Sequence, residues 1–136
     1  MRDPRTIGAI LLAILSVAWP YIVQAVPAIA PEPPPIAGEG FKVLVVYEDS
    51  QKLPTAQRVA LYSQKAIDYV QSKNGTWRKW DQNVQHVGGP QEFIDAMQQP
   101  RDSLPWVYVS NGKTGTSVKL PETEEAFLNL LKQYGG

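Results

Sequence analysis

The residues able to do chemistry are few, and the most reactive kind is missing: the 136-residue chain contains no cysteine. Disulfides, thiolate nucleophiles and thiolate metal sites are thereby excluded. A single histidine, His86, is too few for a multi-histidine metal site within one chain. The remaining candidates begin with Lys52-Leu53-Pro54-Thr55, where a hydroxyl and an ammonium flank a proline suited to the first turn of a helix. In that position Thr55 would offer its hydroxyl and free backbone N–H groups to an anion, with Lys52 adding positive potential. The plainer reading is that Thr55 helps to begin a helix and Lys52 is a solvated loop lysine. Glu48-Asp49 beside Ser50 suggests acid–base work or a cation site. Adjacent carboxylates point different ways, however, and a solvated loop explains them. Trp77 and Trp80 could stack on a sugar or a base, against the commoner use of such rings in packing. Gly112-Lys113-Thr114-Gly115 lacks the spacing of a phosphate-cradling loop.

The elements that must position these residues are legible in the hydrophobic pattern. Residues 42–47 form a continuous apolar run, expected for a strand buried on both faces. From 55 to about 72, Val59, Tyr62, Ala66, Tyr69 and Val70 recur at helical spacing, and Asn74-Gly75 ends the helix. Residues 76–82 read as a weaker strand. Gly88-Gly89-Pro90 opens a short helix through Met97, with Phe93, Ile94 and Met97 on one face. Residues 106–109 form a β-branched and aromatic strand, and Asn111-Gly112 signals a hairpin to a partner near 116–120. A last helix over about 122–133 carries acidic residues in its first turn and Phe127, Leu130, Leu131 and Tyr134 as its apolar stripe. The order β-α-β-α-β-β-α predicts an α/β sandwich, a mixed sheet of about four strands covered by helices.

Ahead of this domain, Arg2 and Arg5 precede the uncharged run 7–30. This pattern predicts a signal peptide over 1–25, cut after Ala25, with an uncleaved membrane anchor over 7–26 as the alternative. Either places the C-terminal domain outside the cytoplasm, periplasmic or extracellular. Residues 26–40 carry five prolines, four of them in Pro31-Glu32-Pro33-Pro34-Pro35, and read as an extended, semi-rigid linker with little to bury. The expected domain is 41–136. Without Arg2, Arg5 and Asp3, the 13 basic and 13 acidic residues fall to 11 and 12, no footprint for nucleic acid.

Over residues 41–134 the chain resembles the thioredoxin family. Counted without a gap from Val43-Leu44-Val45-Val46-Tyr47, Lys52-Leu53-Pro54-Thr55 falls on the family's Cys-Gly-Pro-Cys. Asp81-Gln82-Asn83 falls where some thioredoxins have the same three residues. Leu104-Pro105 resembles the Ile-Pro dipeptide whose proline is cis and faces the active-site turn. The stretch 106–113 resembles the strand and Asn-Gly hairpin that follow. The departures are equally informative. Both cysteines are replaced, by Lys52 and Thr55; the family's buried aspartate falls on Val46, and the tryptophan before the motif on Gln51.

The resemblance implies a thioredoxin-like fold without disulfide oxidoreductase activity and without a cofactor. A groove formed by Lys52, Leu53, Pro54 and Thr55 with Leu104 and Pro105 would bind a protein or peptide through main-chain hydrogen bonds. The membrane would be a further partner if the N-terminal segment is retained. The competing expectations are a glutathione- or anion-binding enzyme centred on Thr55, and a structural module of an envelope or viral assembly.

Overall fold

The computed structural model describes residues 33–85 and 88–136. The N-terminal segment expected to be a signal peptide or anchor, residues 26–32 of the proline-rich stretch, and His86 lie outside them. Four strands form one sheet: β1 (Lys42–Tyr47), β2 (Thr76–Asp81), β3 (Trp106–Ser110) and β4 (Gly115–Lys119). Their order across the sheet is β2-β1-β3-β4. β1 runs parallel to β2 and antiparallel to β3, and β3 pairs antiparallel with β4. The α/β sandwich and its mixed four-stranded sheet are therefore as the sequence predicts.

β1 is interior, and Val43, Leu44, Val45 and Val46 are all fully buried. Alternation along the strand sends them to two cores. Val43 and Val45, with Val107 and Val109 of β3, meet one set of helices: α1 (Thr55–Leu61), α2 (Gln64–Ser72) and α4 (Glu124–Gly135). Leu44 and Val46, with Trp106 and Tyr108, meet only the seven-residue α3 (Gln91–Met97) through Phe93 and Ala96.

The second core is completed from an unexpected place. Ile36, in the segment read from sequence as a spacer with little to bury, is fully buried against this face. Its backbone N–H donates to Ser110 Oγ at 2.9 Å, and the Pro35 carbonyl accepts from Gln99 Nε2 at 2.7 Å. Lys42 Nζ donates to the Ala37 carbonyl at 2.9 Å and pairs with Glu92 Oε2 at 3.3 Å. A single short helix leaves a sheet face under-covered, and a buried isoleucine fills the gap.

The helix expected over 55–72 is two helices. Ser63 interrupts it, its Oγ accepting from the Ala66 N–H at 3.0 Å as the N-cap of α2 and donating to Glu124 Oε2 at 2.7 Å. Serine favours such a cap over a helix interior, because its side chain competes for backbone donors. The break turns outward two residues expected on the buried stripe: Val59 is 49% exposed and Tyr62 55%. At Asn111-Gly112 the connection spans four residues, the Asn111 N–H donating to the Thr114 carbonyl at 3.0 Å. Asn111 Oδ1 accepts from the Lys113 and Thr114 N–H groups, and Gly112 takes φ 90°, open to glycine and costly for other residues.

Candidate functional site

The C-terminal end of β1 lies at the point where chain connections leave the sheet in opposite directions. The β1–β2 crossover goes to one side, and β2 returns through α3 to β3 on the other. Crevices for ligands form at such points in open α/β sheets. Two loops meet here, 48–54 and 98–105.

Gln51 joins them. Its Nε2 donates to the Leu104 carbonyl at 2.9 Å, holding the turn that leads into Lys52–Thr55 against the Leu104–Pro105 loop. The Leu104–Pro105 peptide bond is cis. Pro105 is buried, and its carbonyl accepts from the Leu120 N–H at 3.0 Å. Leu120 in turn accepts at its carbonyl from the buried Gln57 Nε2 at 3.0 Å. A chain of hydrogen bonds thus runs from α1 through Leu120 to the start of β3. The six residues singled out from sequence lie on these two loops and at the opening of α1.

Their individual roles differ. Leu53 is half-buried and packs against the first core, while its carbonyl accepts from Arg58 Nη1 at 3.3 Å. Pro54 is the N-cap of α1 and supplies no side-chain cap; its carbonyl accepts from the Arg58 N–H at 2.9 Å. Lys52 and Thr55 are exposed, and neither side chain makes a hydrogen bond or ion pair with a described residue. Since α1 has only seven residues, its dipole adds little at Thr55.

Beside the Gln51–Leu104 bridge opens a cleft of about 1020 Å³, walled by Glu48, Ser50 and Gln51, by Gln82, and by the loop from Met97 to Leu104. Glu48 is no free carboxylate: Oε1 accepts from Asn83 Nδ2 at 2.6 Å and Oε2 from Gln82 Nε2 at 3.3 Å. Asp81 adds a second tie, accepting from the Asp49 and Asn83 N–H groups at 3.1 and 2.8 Å. Both carboxylates therefore bind the loop after β1 to the end of β2. Tyr108 lies behind the cleft, its hydroxyl donating to the Gln99 carbonyl at 3.0 Å, and burial pushes that hydroxyl above its ordinary pKa. An adjoining hollow of about 490 Å³ shares Gln82, Met97, Gln98 and Arg101 with the cleft and adds Trp80, Val84 and Ile94.

On the other side of the sheet edge, Lys79 Nζ lies 3.9 Å from the centre of the Tyr62 ring and 5.6 Å from that of Tyr47. Burial lowers the pKa of Lys79 and, with Asp49 and Asp81 nearby, raises that of Tyr47. Trp77 and Trp80 divide between the cores, Trp77 against Phe127 and Trp80 edge-on to Phe93. No group of three metal-ligating side chains occurs among the described residues, and no described helix is long and apolar enough to cross a membrane.

Gln57 was not singled out from sequence, and Gln51 and Gln82 entered only through the thioredoxin resemblance, with no bonding role. No protein-family model matches this chain, and no curated protein matches it in sequence.

Proposed function

We propose that the domain is thioredoxin-like in fold and serves as a protein- or peptide-binding module without disulfide chemistry. The observation that carries the reading is the 2.9 Å bond from Gln51 to the Leu104 carbonyl, which sets the Lys52–Thr55 turn beside the Leu104–Pro105 loop at the end of β1. The strand order, with one parallel and two antiparallel pairings, is compatible with that fold. Disulfide exchange needs a thiolate, and the chain has no sulfur nucleophile to supply one. What the surface offers is an exposed turn and a main-chain acceptor. The Leu104 carbonyl is held by a side-chain amide that an incoming peptide N–H would replace like for like. On the strength of Arg2, Arg5 and the apolar run 7–30, the proposal places the domain outside the cytoplasm.

The test is in-cell photo-crosslinking from position 53, with the captured proteins identified by mass spectrometry. Leu53→Asp should abolish capture at a neighbouring crosslinker position, and Gln51→Ala, which frees the Leu104 acceptor, should increase it. Capture indifferent to both substitutions would sink the reading. Saturable glutathione binding that depends on Thr55 would replace it with the enzyme reading.

A further inference from the structure

We infer that the outer edge of β2, centred on Lys79, takes up an extended acidic segment of another protein as an added antiparallel strand. This site is separate from the Lys52–Thr55 turn and does not depend on peptide binding there.

β2 ends the sheet, and among the described residues it pairs only with β1. The Thr76 and Gln82 N–H groups donate to the Phe41 and Tyr47 carbonyls at 2.9 and 2.8 Å. Successive residues of a strand turn their main-chain groups to opposite sides. The even-numbered residues of β2 therefore face β1, and Trp77, Lys79 and Asp81 face outward. Two of the outward carbonyls are engaged, Trp77 by Arg78 Nη1 at 3.1 Å and Asp81 by the Val84 N–H at 3.2 Å. At Lys79 neither the N–H nor the carbonyl has a partner among the described residues. A donor and an acceptor on one edge residue are what the hydrogen-bonded pair of an antiparallel ladder requires, and they select a polypeptide backbone.

Charge selects which backbone. Lys79 and Arg78 lie on opposite faces of the sheet, Lys79 Nζ 3.9 Å from the centre of the Tyr62 ring and Arg78 Cζ 5.6 Å from that of Phe93. Neither cation forms a salt bridge with a described carboxylate. Basic residues on an edge strand deter pairing with a like strand. A second copy, paired across a two-fold axis, would set Lys79 against Lys79 or Arg78 against Arg78, and like charges directly opposite are destabilising. The uncharged run 7–30 of this chain brings no carboxylate either. A strand with two successive acidic residues meets both cations, one on each face. Residues opposite one another have Cβ atoms about 4.5–5.5 Å apart, within reach of a glutamate. The half-buried Trp77, on the Lys79 face, suits a β-branched residue two places further along the added strand.

The test titrates the ¹⁵N-labelled full chain with an N-acetylated, C-amidated hexapeptide, Thr-Val-Glu-Glu-Val-Thr. In antiparallel register its first glutamate lies opposite Lys79 and its second opposite Arg78. The Trp77 and Lys79 amide signals should shift to saturation, and exchange of the Lys79 N–H should slow. Glutamine in place of both glutamates should weaken binding about threefold to tenfold, the loss expected for two exposed ion pairs. Lys79→Glu should reverse the preference at that position, binding Thr-Val-Lys-Glu-Val-Thr more tightly than the parent peptide. N-methylation of the first glutamate, whose N–H faces Lys79, should abolish binding. N-methylation of the second, whose N–H faces away, should leave most of it. Leu53→Asp should leave affinity for the hexapeptide unchanged, which separates this edge from the Lys52–Thr55 surface. The inference is overturned if the glutamine peptide binds equally well, if the two N-methylated peptides bind alike, or if the Lys79 amide stays unshifted at millimolar peptide.

Discussion

A Cβ placed on Gly115 would lie 2.3 Å from the Val109 carbonyl oxygen, 2.6 Å from Pro35 Cδ and 3.2 Å from Pro34 Cα. Two of the three atoms belong to the proline-rich segment, so this residue records where that segment docks. Gly115→Ala should cost about 1–3 kcal/mol as an overpacking change, read as a lower urea midpoint at constant slope. Lys42 acts at the same junction through its bonds to Ala37 and Glu92. The Glu92 carboxyl is held below the ordinary carboxylate range, first by its own backbone N–H and then by the Lys42 ammonium. A depressed carboxyl favours the folded state while ionised, so its contribution is complete above the unfolded value and lost as pH falls through the folded one. The protection factor of the Ile36 amide, the exchange rate of an unfolded chain divided by its own at the same pH, should therefore fall in acid, and Glu92→Gln should flatten that dependence. Of the site, the two loops were legible in the sequence because Pro54 and Leu104-Pro105 carry fixed backbone preferences. Gln51 and Gln57 were not, since an amide that bonds a distant carbonyl has the same local pattern as one in water.

Among the elements, β1 and β3 were plain from sequence because burial on both faces demands unbroken apolar runs. The break between α1 and α2 was hidden: Val59, Tyr62, Ala66 and Val70 keep helical spacing across it. Only the long-range partner of Ser63 decides the matter. Its hydroxyl caps α2 and donates to Glu124 in the first turn of α4, so one buried oxygen fixes the relation of two helices. Ser63→Ala should cost about 1–2 kcal/mol, the upper part of the range for a lost cap. Glu124→Ala should cost less, since Glu124 is only half-buried. In a double-mutant cycle the two should couple by about 0.5–1 kcal/mol. Full additivity in urea melts would show that the two residues act separately.

At the scale of the molecule, the two faces of the sheet are unequally served. Three helices cover one; α3 and Ile36 cover the other, where Leu44, Val46 and Tyr108 are fully buried. This imbalance makes residues 33–37 part of the fold, although their prolines and short side chains carry no periodicity from which docking could be read. Burying one isoleucine contributes about 1.5–3 kcal/mol, and each of the hydrogen bonds at Ile36 and Pro35 about 1 kcal/mol. A chain beginning at Phe41 should then be less stable than one beginning at Glu32 by roughly 3–5 kcal/mol, a large share of the stability of an ordinary small domain. It should also bind ANS through the uncovered face, and its urea slope should change little, because the rest of the core still unfolds as a unit. Ile36→Asp in the full chain should reproduce the loss without removing any backbone. Equal midpoints for the two truncations, with no effect of Ile36→Asp, would return the segment to the role of a spacer.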